Sequence, residues 1–411
     1  MKQERTMVGG QEPAHFFHAG IQRNLQYWQD WLNHLEGASA AIDEERDNIL
    51  RAIAFAFTPS ETWQAVYNLV MLFSPYMERQ GFWQTWSQLL EQAVSAARRV
   101  ADQVGEANLL IKQALMFQRQ NRFQEAVAYY REALVQARHI QDDYLIARVL
   151  TNLGYLYTES GYWHRAEILC CRALVIFQQC GRPYGWAHAE NHLGILYTRM
   201  GLWTQAEDHL EEACSIWKRS RDDHGLLRGY INFSLLYLSR EQPEQALMYL
   251  ERALEQADRT SDMVERGVIY SNMAIAHRLL GDLPMSEKLN RQAERVYQQQ
   301  SNLAGMARVW GNLGILYIQQ SDWPAAASYL DRSLKTWQSL GSRLGEIESL
   351  LGLIEYELAR NQPQPGLQRL MEVEALLRSI GGAGRNHPYQ ERVEDYRRRL
   401  TGPETDQTAA D

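Results

Sequence analysis

The chain has 411 residues, 45% of them hydrophobic, and a formal charge of −8. That composition belongs to a folded protein too long for one ordinary core, and its acidity argues against nucleic acid as a direct partner, which needs a basic face. No stretch nears the roughly 18 apolar residues of a membrane helix, and the cysteines Cys170, Cys171, Cys180 and Cys214 lack zinc-ligand spacing and read as reduced thiols of a cytoplasm.

The first residues, MKQERTMVGGQEP, are polar and lack the apolar core of a signal peptide. Next come two helical segments, the aromatic His15–Glu36 and Ile42–Phe57, in a region, 1–62, that shares no pattern with the rest. They are expected to form an N-terminal helical cap over the apolar end of the repeat region, and their aromatic residues make self-association through this region a further expectation. From Trp63 a period of 40 residues sets in. Stepping back from Gly314 meets Ala274, Ser234, Gly194, Gly154, Ala114 and Ser74; from Ala326, Ser286, Ala246, Ala206, Ala166 and Ala126; from Ser333, Ala293, Ala253, Ala213, Ala173, Ala133 and Ala93. A fourth register, Gly81, Asn121, Gly161, Gly201, Glu241, Gly281, Ser321 and Asn361, consists mostly of residues that tolerate a tight bend or a left-handed backbone. Four registers without slippage predict eight tandem units over 63–380.

Each unit reads as two helices. Leu150, Leu153, Leu156 and Tyr157 fall at helical spacing, and after Gly161 so do Trp163, Ala166, Ile168 and Leu169. The small residues let the two helices approach closely, and Pro243, Pro324 and Pro363 fall in the first turn after the bend, where a missing N–H costs nothing. No stretch alternates with period two, so the fold class is all-α. Beyond the array, Gly381-Gly382-Ala383-Gly384 breaks the helix, 381–400 supplies a C-terminal capping helix, and 401–411 reads as a disordered tail.

Signatures of catalysis are absent: no GxSxG, no HExxH, no CxxC pair, and no Gly-Lys dipeptide from which a phosphate loop could be built. No catalytic residue, cofactor or metal is expected. His188 and His192, four apart around Glu190, have metal-ligand spacing, but they fall in a recurring polar pair instead. One register reads Arg148, His188, Arg228, Val268, Arg308; four residues on, another reads Asn152, His192, Asn232, Asn272, Asn312. Residues four apart share one helix face. Asn can hold a peptide backbone by donor and acceptor together, and Arg presents a fork that matches carboxylates. Against this stands the simpler alternative, in which each Asn bonds a neighbouring helix and each Arg is solvated or paired with an adjacent acid.

Trp310-x-x-Leu313-Gly314-x-x-Tyr317 followed by Ala326-x-x-x-Leu330 and Ser333 resembles the tetratricopeptide repeat. The resemblance covers about Trp63 to Ser379. It implies a right-handed superhelical solenoid of about eight helix-turn-helix repeats whose first helices line the concave surface. The period exceeds the family's usual ~34 residues, and the excess is expected in longer helices and in connectors such as Gln178–Gly185. Peptide-binding adaptors of the Pins type carry an R-x-x-x-N-L-G arrangement, which implies a peptide-binding role for Arg148, Asn152, His188, His192, Arg228, Asn232, Asn272, Arg308 and Asn312. Glu45 to Ala52 resembles the helical stretch that opens the repeat region of bacterial STAND and AfsR-type regulators, although the ATPase motor itself is missing. The function this implies is a cytoplasmic, non-enzymatic sensor or scaffold in bacterial signalling or defence, binding a protein or an acidic peptide in its groove. The alternative is a regulatory subunit acting beside a separate STAND-type ATPase or transcription regulator.

Overall fold

The structure, a computed structural model, describes residues 11–35, 39–58, 60–380 and 388–401, and it contains no strand among them. The glycine break at 381–384 and the tail beyond Thr401 lie outside the described residues. Helices α1 (Gln11–His34) and α2 (Ser39–Ala56) precede a short 3₁₀ turn at Ser60–Thr62. The repeat region then runs α3 (Trp63–Gln80), α4 (Trp83–Arg99), α5 (Gln103–Arg119), α6 (Phe123–His139), α7 (Asp143–Glu159), α8 (Trp163–Gln179), α9 (Pro183–Arg199) and α10 (Trp203–Ser220). It continues with α11 (Asp223–Ser239), α12 (Pro243–Thr260), α13 (Met263–Leu279), α14 (Leu283–Gln299), α15 (Leu303–Gln319), α16 (Trp323–Leu340), α17 (Arg343–Ala359) and α18 (Pro363–Ser379). Helix α19 (Pro388–Thr401) ends the described chain.

The repeat helices are 17 or 18 residues long, and their connectors span two or three. The excess over the usual period therefore lies in the helices alone. The expected long connector at Gln178–Gly185 is helix except for Cys180 to Arg182. Every member of the bend register is left-handed, including the non-glycine residues Asn121 (φ 60°), Glu241 (φ 55°), Ser321 (φ 60°) and Asn361 (φ 59°). A second left-handed register, offset by half a period, joins one unit to the next at Ala101, Gln141, Gly181, Arg221, Ser261, Ser301 and Gly341.

Close packing accounts for the small residues. A Cβ on Gly194 would stand 2.6 Å from Leu210 Cγ in the facing helix, so a larger side chain would force the hairpin open. Cys170 occupies that same Leu register opposite Gly154 and is fully buried. A further size rule operates between units. Gly185, Gly225, Gly305 and Gly345 face Phe177, Trp217, Tyr297 and Trp337 of the preceding helix. Where that register holds Ala137 or Ala257 instead of a ring, Leu145 or Glu265 replaces the glycine, whereas Ala97 is followed by Gly105, which faces Asp102 and no ring. The same turn is capped by a recurrent side chain: Asp102, Asp142, Asp222, Asp262, Asn302 and Ser342 each accept from the backbone N–H three residues on.

First helices of successive units pack on one another, α7 on α9, α9 on α11, α11 on α13 and α13 on α15, which places them on the inner side of the solenoid. The coil then closes on itself after about five units. Gln80 Nε2 donates to Ser261 O at 3.0 Å, and Arg119 Nη1 pairs with Glu265 Oε1 at 3.3 Å. Farther along, Gly161 packs on Leu344 and Ile380, and Trp163 stacks on Tyr389 of α19 at 6.4 Å. The hairpin ends of the early units thus rest on the inter-unit ends of the late ones, through an apolar seam sealed by ion pairs.

Candidate functional site: the inner polar surface

The repeat geometry carries both polar registers onto the inner helices. Arg148 and Asn152 lie on α7, His188 and His192 on α9, Arg228 and Asn232 on α11, Asn272 on α13, and Arg308 and Asn312 on α15. Their side chains are divided in what they do. Asn232 Nδ2 donates to Asn191 Oδ1 at 2.7 Å, and Asn312 Nδ2 to Ser271 Oγ at 3.1 Å, each reaching back 41 residues to the preceding inner helix. Asn272 has the apolar Ile231 at that point and turns to Ser234 Oγ at 3.4 Å. These asparagines use a donor to fasten one rung to the next. Asn152 is half-buried.

The arginines are less occupied. Arg148 Nη1 donates to Asn108 Oδ1 at 2.7 Å, a neutral partner one unit back in the same register. Arg228 and Arg308 have no hydrogen bond or ion pair to any described residue. Nearby cations contrast with them: Lys112 meets Glu78 at 2.9 Å, Arg119 meets Glu265 at 3.3 Å, and Arg199 meets Glu159 at 3.4 Å. Three guanidinium groups on the inner surface therefore lack a carboxylate; Arg148 and Arg228 are half-buried, where a guanidinium favours an anion more than it does in water, and Arg308 is exposed.

Rings complete the surface. His188 lies edge-on to Tyr184 at 4.6 Å and to Trp217 at 5.5 Å, while His192 sits against Tyr155 at 5.0 Å. His192 is buried and its Nδ1 has no hydrogen-bond partner. Burial, followed by the field of Arg228, lowers its pKa to about 3. Burial also holds His188 well below the usual imidazole range, reinforced by Arg228, His192, His224 and Arg148. Both rings are neutral at pH 7. Burial pushes the Tyr155 phenol up to about 12, an effect raised further by Glu159 and opposed by Arg119, Arg228 and Arg308.

Tyr155, Arg119 and Glu265 belong to this surface but were not among the nine sequence candidates. Tyr155 had a signal, because it stands where other units carry Ile195, Leu235, Ile275 and Ile315. The other two meet only through the stacking of coils 146 residues apart. Asp222 caps α11 through Gly225 N, and His224 lies 3.1 Å from Asp262. Among the described residues no group of three His, Cys, Asp or Glu side chains converges on one point, and no helix is long and apolar enough to cross a membrane. Desolvation pushes the buried Cys170 thiol and the half-buried Cys214 thiol up to about 12, which makes them poor nucleophiles.

At the other end, an aromatic cleft of about 700 Å³ opens between α1 and α2, lined by Phe16, Phe17, Trp28, Arg51 and Phe55 among others. Phe16 and Phe55 are 74% and 61% exposed, too much to be explained as core.

Family models described as tetratricopeptide repeat match residues 109–144, 187–259 and 265–339. No curated protein matches the chain in sequence. Among solved structures, the chain is similar to the Rap conjugation gene regulator of the plasmid pLS20 in complex with the Phr* peptide. The identity is 13% over 78% of this chain and 96% of that one, with a TM-score of 0.58. It is similar also to aspartyl phosphate phosphatase F from Bacillus subtilis, at 13% identity over 93% of this chain and 97% of that one, TM-score 0.54. The STAND protein with a tetratricopeptide repeat sensor from Pyrococcus horikoshii aligns at 15% identity over 95% of this chain and 55% of that one, with a TM-score of 0.49. At these identities the likeness is one of fold.

Proposed function

We propose that this chain, a solenoid of tetratricopeptide repeats, binds an extended acidic segment of a protein or peptide partner along its inner surface and serves as a sensor or scaffold in bacterial signalling, without catalysing a reaction. Arg148, Asn152, His188, His192, Arg228, Asn232, Asn272, Arg308 and Asn312 are the residues assigned to contact it. The observation that carries this is the pair of unmatched cations, Arg228 and Arg308, on a surface where Lys112, Arg119 and Arg199 have acids beside them. The asparagines fasten neighbouring helices, yet each keeps a carbonyl oxygen for a ligand's backbone N–H. A structurally similar regulator, 13% identical, was captured in complex with a peptide, which supports a peptide as the class of partner here. The test replaces Arg228, Asn232, Arg308 and Asn312 with alanine and measures binding to a partner purified from the native cell. Lost affinity with an intact helical spectrum is the expected result; unchanged affinity removes the inner surface from consideration.

A second reading, that of a regulatory subunit, is compatible with the same groove and differs only in the partner, a separate STAND-type ATPase or transcription regulator. Copurification of such a subunit, dependent on the same four residues, would select it. The exposed Phe16, Phe17 and Phe55 favour self-association at the N-terminal helices. Light scattering on the full chain with these three changed to serine tests that: the expected outcome is loss of a dimer, and a monomeric wild type excludes it.

A further inference from the structure

Three consecutive rungs of the inner surface carry Arg148, His188 and Arg228, a neutral imidazole between two guanidinium groups that have no carboxylate partner. We propose that these three side chains form a seat for one carboxylate of the ligand, and that His188 takes up a proton from solvent when the seat is filled. The inference rests on the groove proposed above and names the chemistry of its central position.

Geometry carries it. The 40-residue period places the three residues in one register on α7, α9 and α11, inner helices that pack on one another in that order. The walls are rings: Tyr184 and Trp217 pack on His188, and Tyr155 packs on His192 one turn along. Trp217 is fully buried and Tyr184 is 56% exposed, so the seat is apolar on one side and open on the other, and the apolar side strengthens charge pairing against it. A second observation points the same way. His192, 4% exposed, has a buried Nδ1 with no partner, a cost that a ligand group can relieve. The groups facing His188 are Arg148 from α7, His192 from its own helix, and Arg228 and His224 from α11. Neighbouring acids are committed elsewhere: Glu190 on α9 meets Trp186 and His209, Asp222 caps α11, and Asp262 meets His224.

The proton follows from the charges. In the empty seat two guanidinium groups and burial keep His188 neutral. A carboxylate placed between them offsets part of the repulsion and accepts an N–H from the imidazolium, so the charged ring becomes more favourable than in the empty seat. Binding then draws one proton from solvent, and affinity rises as pH falls, by up to about tenfold per pH unit for one coupled proton.

The experiment titrates the full chain, carrying ¹³C-labelled histidine rings, with tetraglutamate, tetraglutamine and inorganic phosphate across neutral pH. Tetraglutamate is expected to move the His188 midpoint upward, to bind more tightly at low pH, and to outbind tetraglutamine. Arg228→Gln is expected to weaken it about tenfold or more. His188→Arg, which restores the residue of the neighbouring rungs, is expected to bind with no pH dependence beyond that of glutamate itself. A His188 resonance unmoved at saturation, or a proton linkage that survives His188→Arg, overturns the seat. If tetraglutamate then still binds through Arg308 and Asn312, the groove stands without it. Phosphate moving the resonance where tetraglutamate does not overturns the carboxylate assignment. Failure of both anions to bind folded protein overturns the seat and the acidic-ligand reading together.

Discussion

Replacing Gly225 with leucine drives a side chain into Trp217, because a Cβ at that position would stand 2.5 Å from the indole Cδ1 and Cγ. Overpacking of this kind costs about 2–3 kcal/mol. Replacing Trp217 with alanine empties a fully buried indole site, at a cost of about 3–5 kcal/mol. The junction of units two and three nevertheless holds the pair Ala137 and Leu145 in the same two registers, both buried, so the backbone accepts the opposite division of volume. The double variant is therefore expected to recover about 2–3 kcal/mol relative to the sum of the single changes. Urea denaturation followed by helical circular dichroism, at fixed pH, measures all four corners of the cycle. Strict additivity would refute the reasoning, since it would mean that glycine is retained at this turn for its backbone and not for the ring.

Two other outcomes derive from the charges. His192 is neutral in the fold at about pKa 3 and near its ordinary value when unfolded. Its contribution is thus present above pH 6.5 and is lost as pH falls below it, by up to about 1.4 kcal/mol per pH unit. His192→Asn, which restores the register's own residue, should match the wild type at pH 7.5 and exceed its stability at pH 5; parallel pH–stability curves would contradict the assignment. Glu265→Gln removes the partner of Arg119, whose side chain is 27% exposed against 8% for Glu265. It should cost about 1–3 kcal/mol locally, speed amide exchange at the end of α5 and the start of α13, and enlarge the chain in small-angle scattering. Unchanged exchange at both segments would show that the apolar part of the seam holds the coils without the ion pair.

The repeat could be read from the sequence because its packing is local. Gly194 and Leu210 are 16 residues apart, and so are Gly154 and Cys170 and Gly314 and Leu330, so one period displays each whole contact. The glycine-to-ring rule was equally local but hidden, since it shows as a paired exchange of sizes and not as a constant residue. The inter-unit left-handed register escaped because Ala101, Gln141 and Arg221 have no side-chain preference for that backbone. At the inner surface, periodicity identified which helix face recurs, but not what the side chains hold. Asn232 and Asn312 turn out to bond the rung before them, while Arg228 and Arg308 stay unmatched, a distinction that depends on residues 41 away and on the acids nearby. The stacking of the coils, through Arg119 and Glu265, leaves no periodic trace at all.

The ligand's position on the inner surface is tested most directly by photo-crosslinking in the native cell. A photo-reactive residue replaces either Tyr155, on the inner helix α7, or Ile168, 54% exposed on the outer helix α8. A partner adduct should form from position 155, not from position 168, and should vanish when Arg228, Asn232, Arg308 and Asn312 are changed to alanine. An adduct formed from position 168 alone, or one at position 155 that persists in the fourfold variant, would contradict the account.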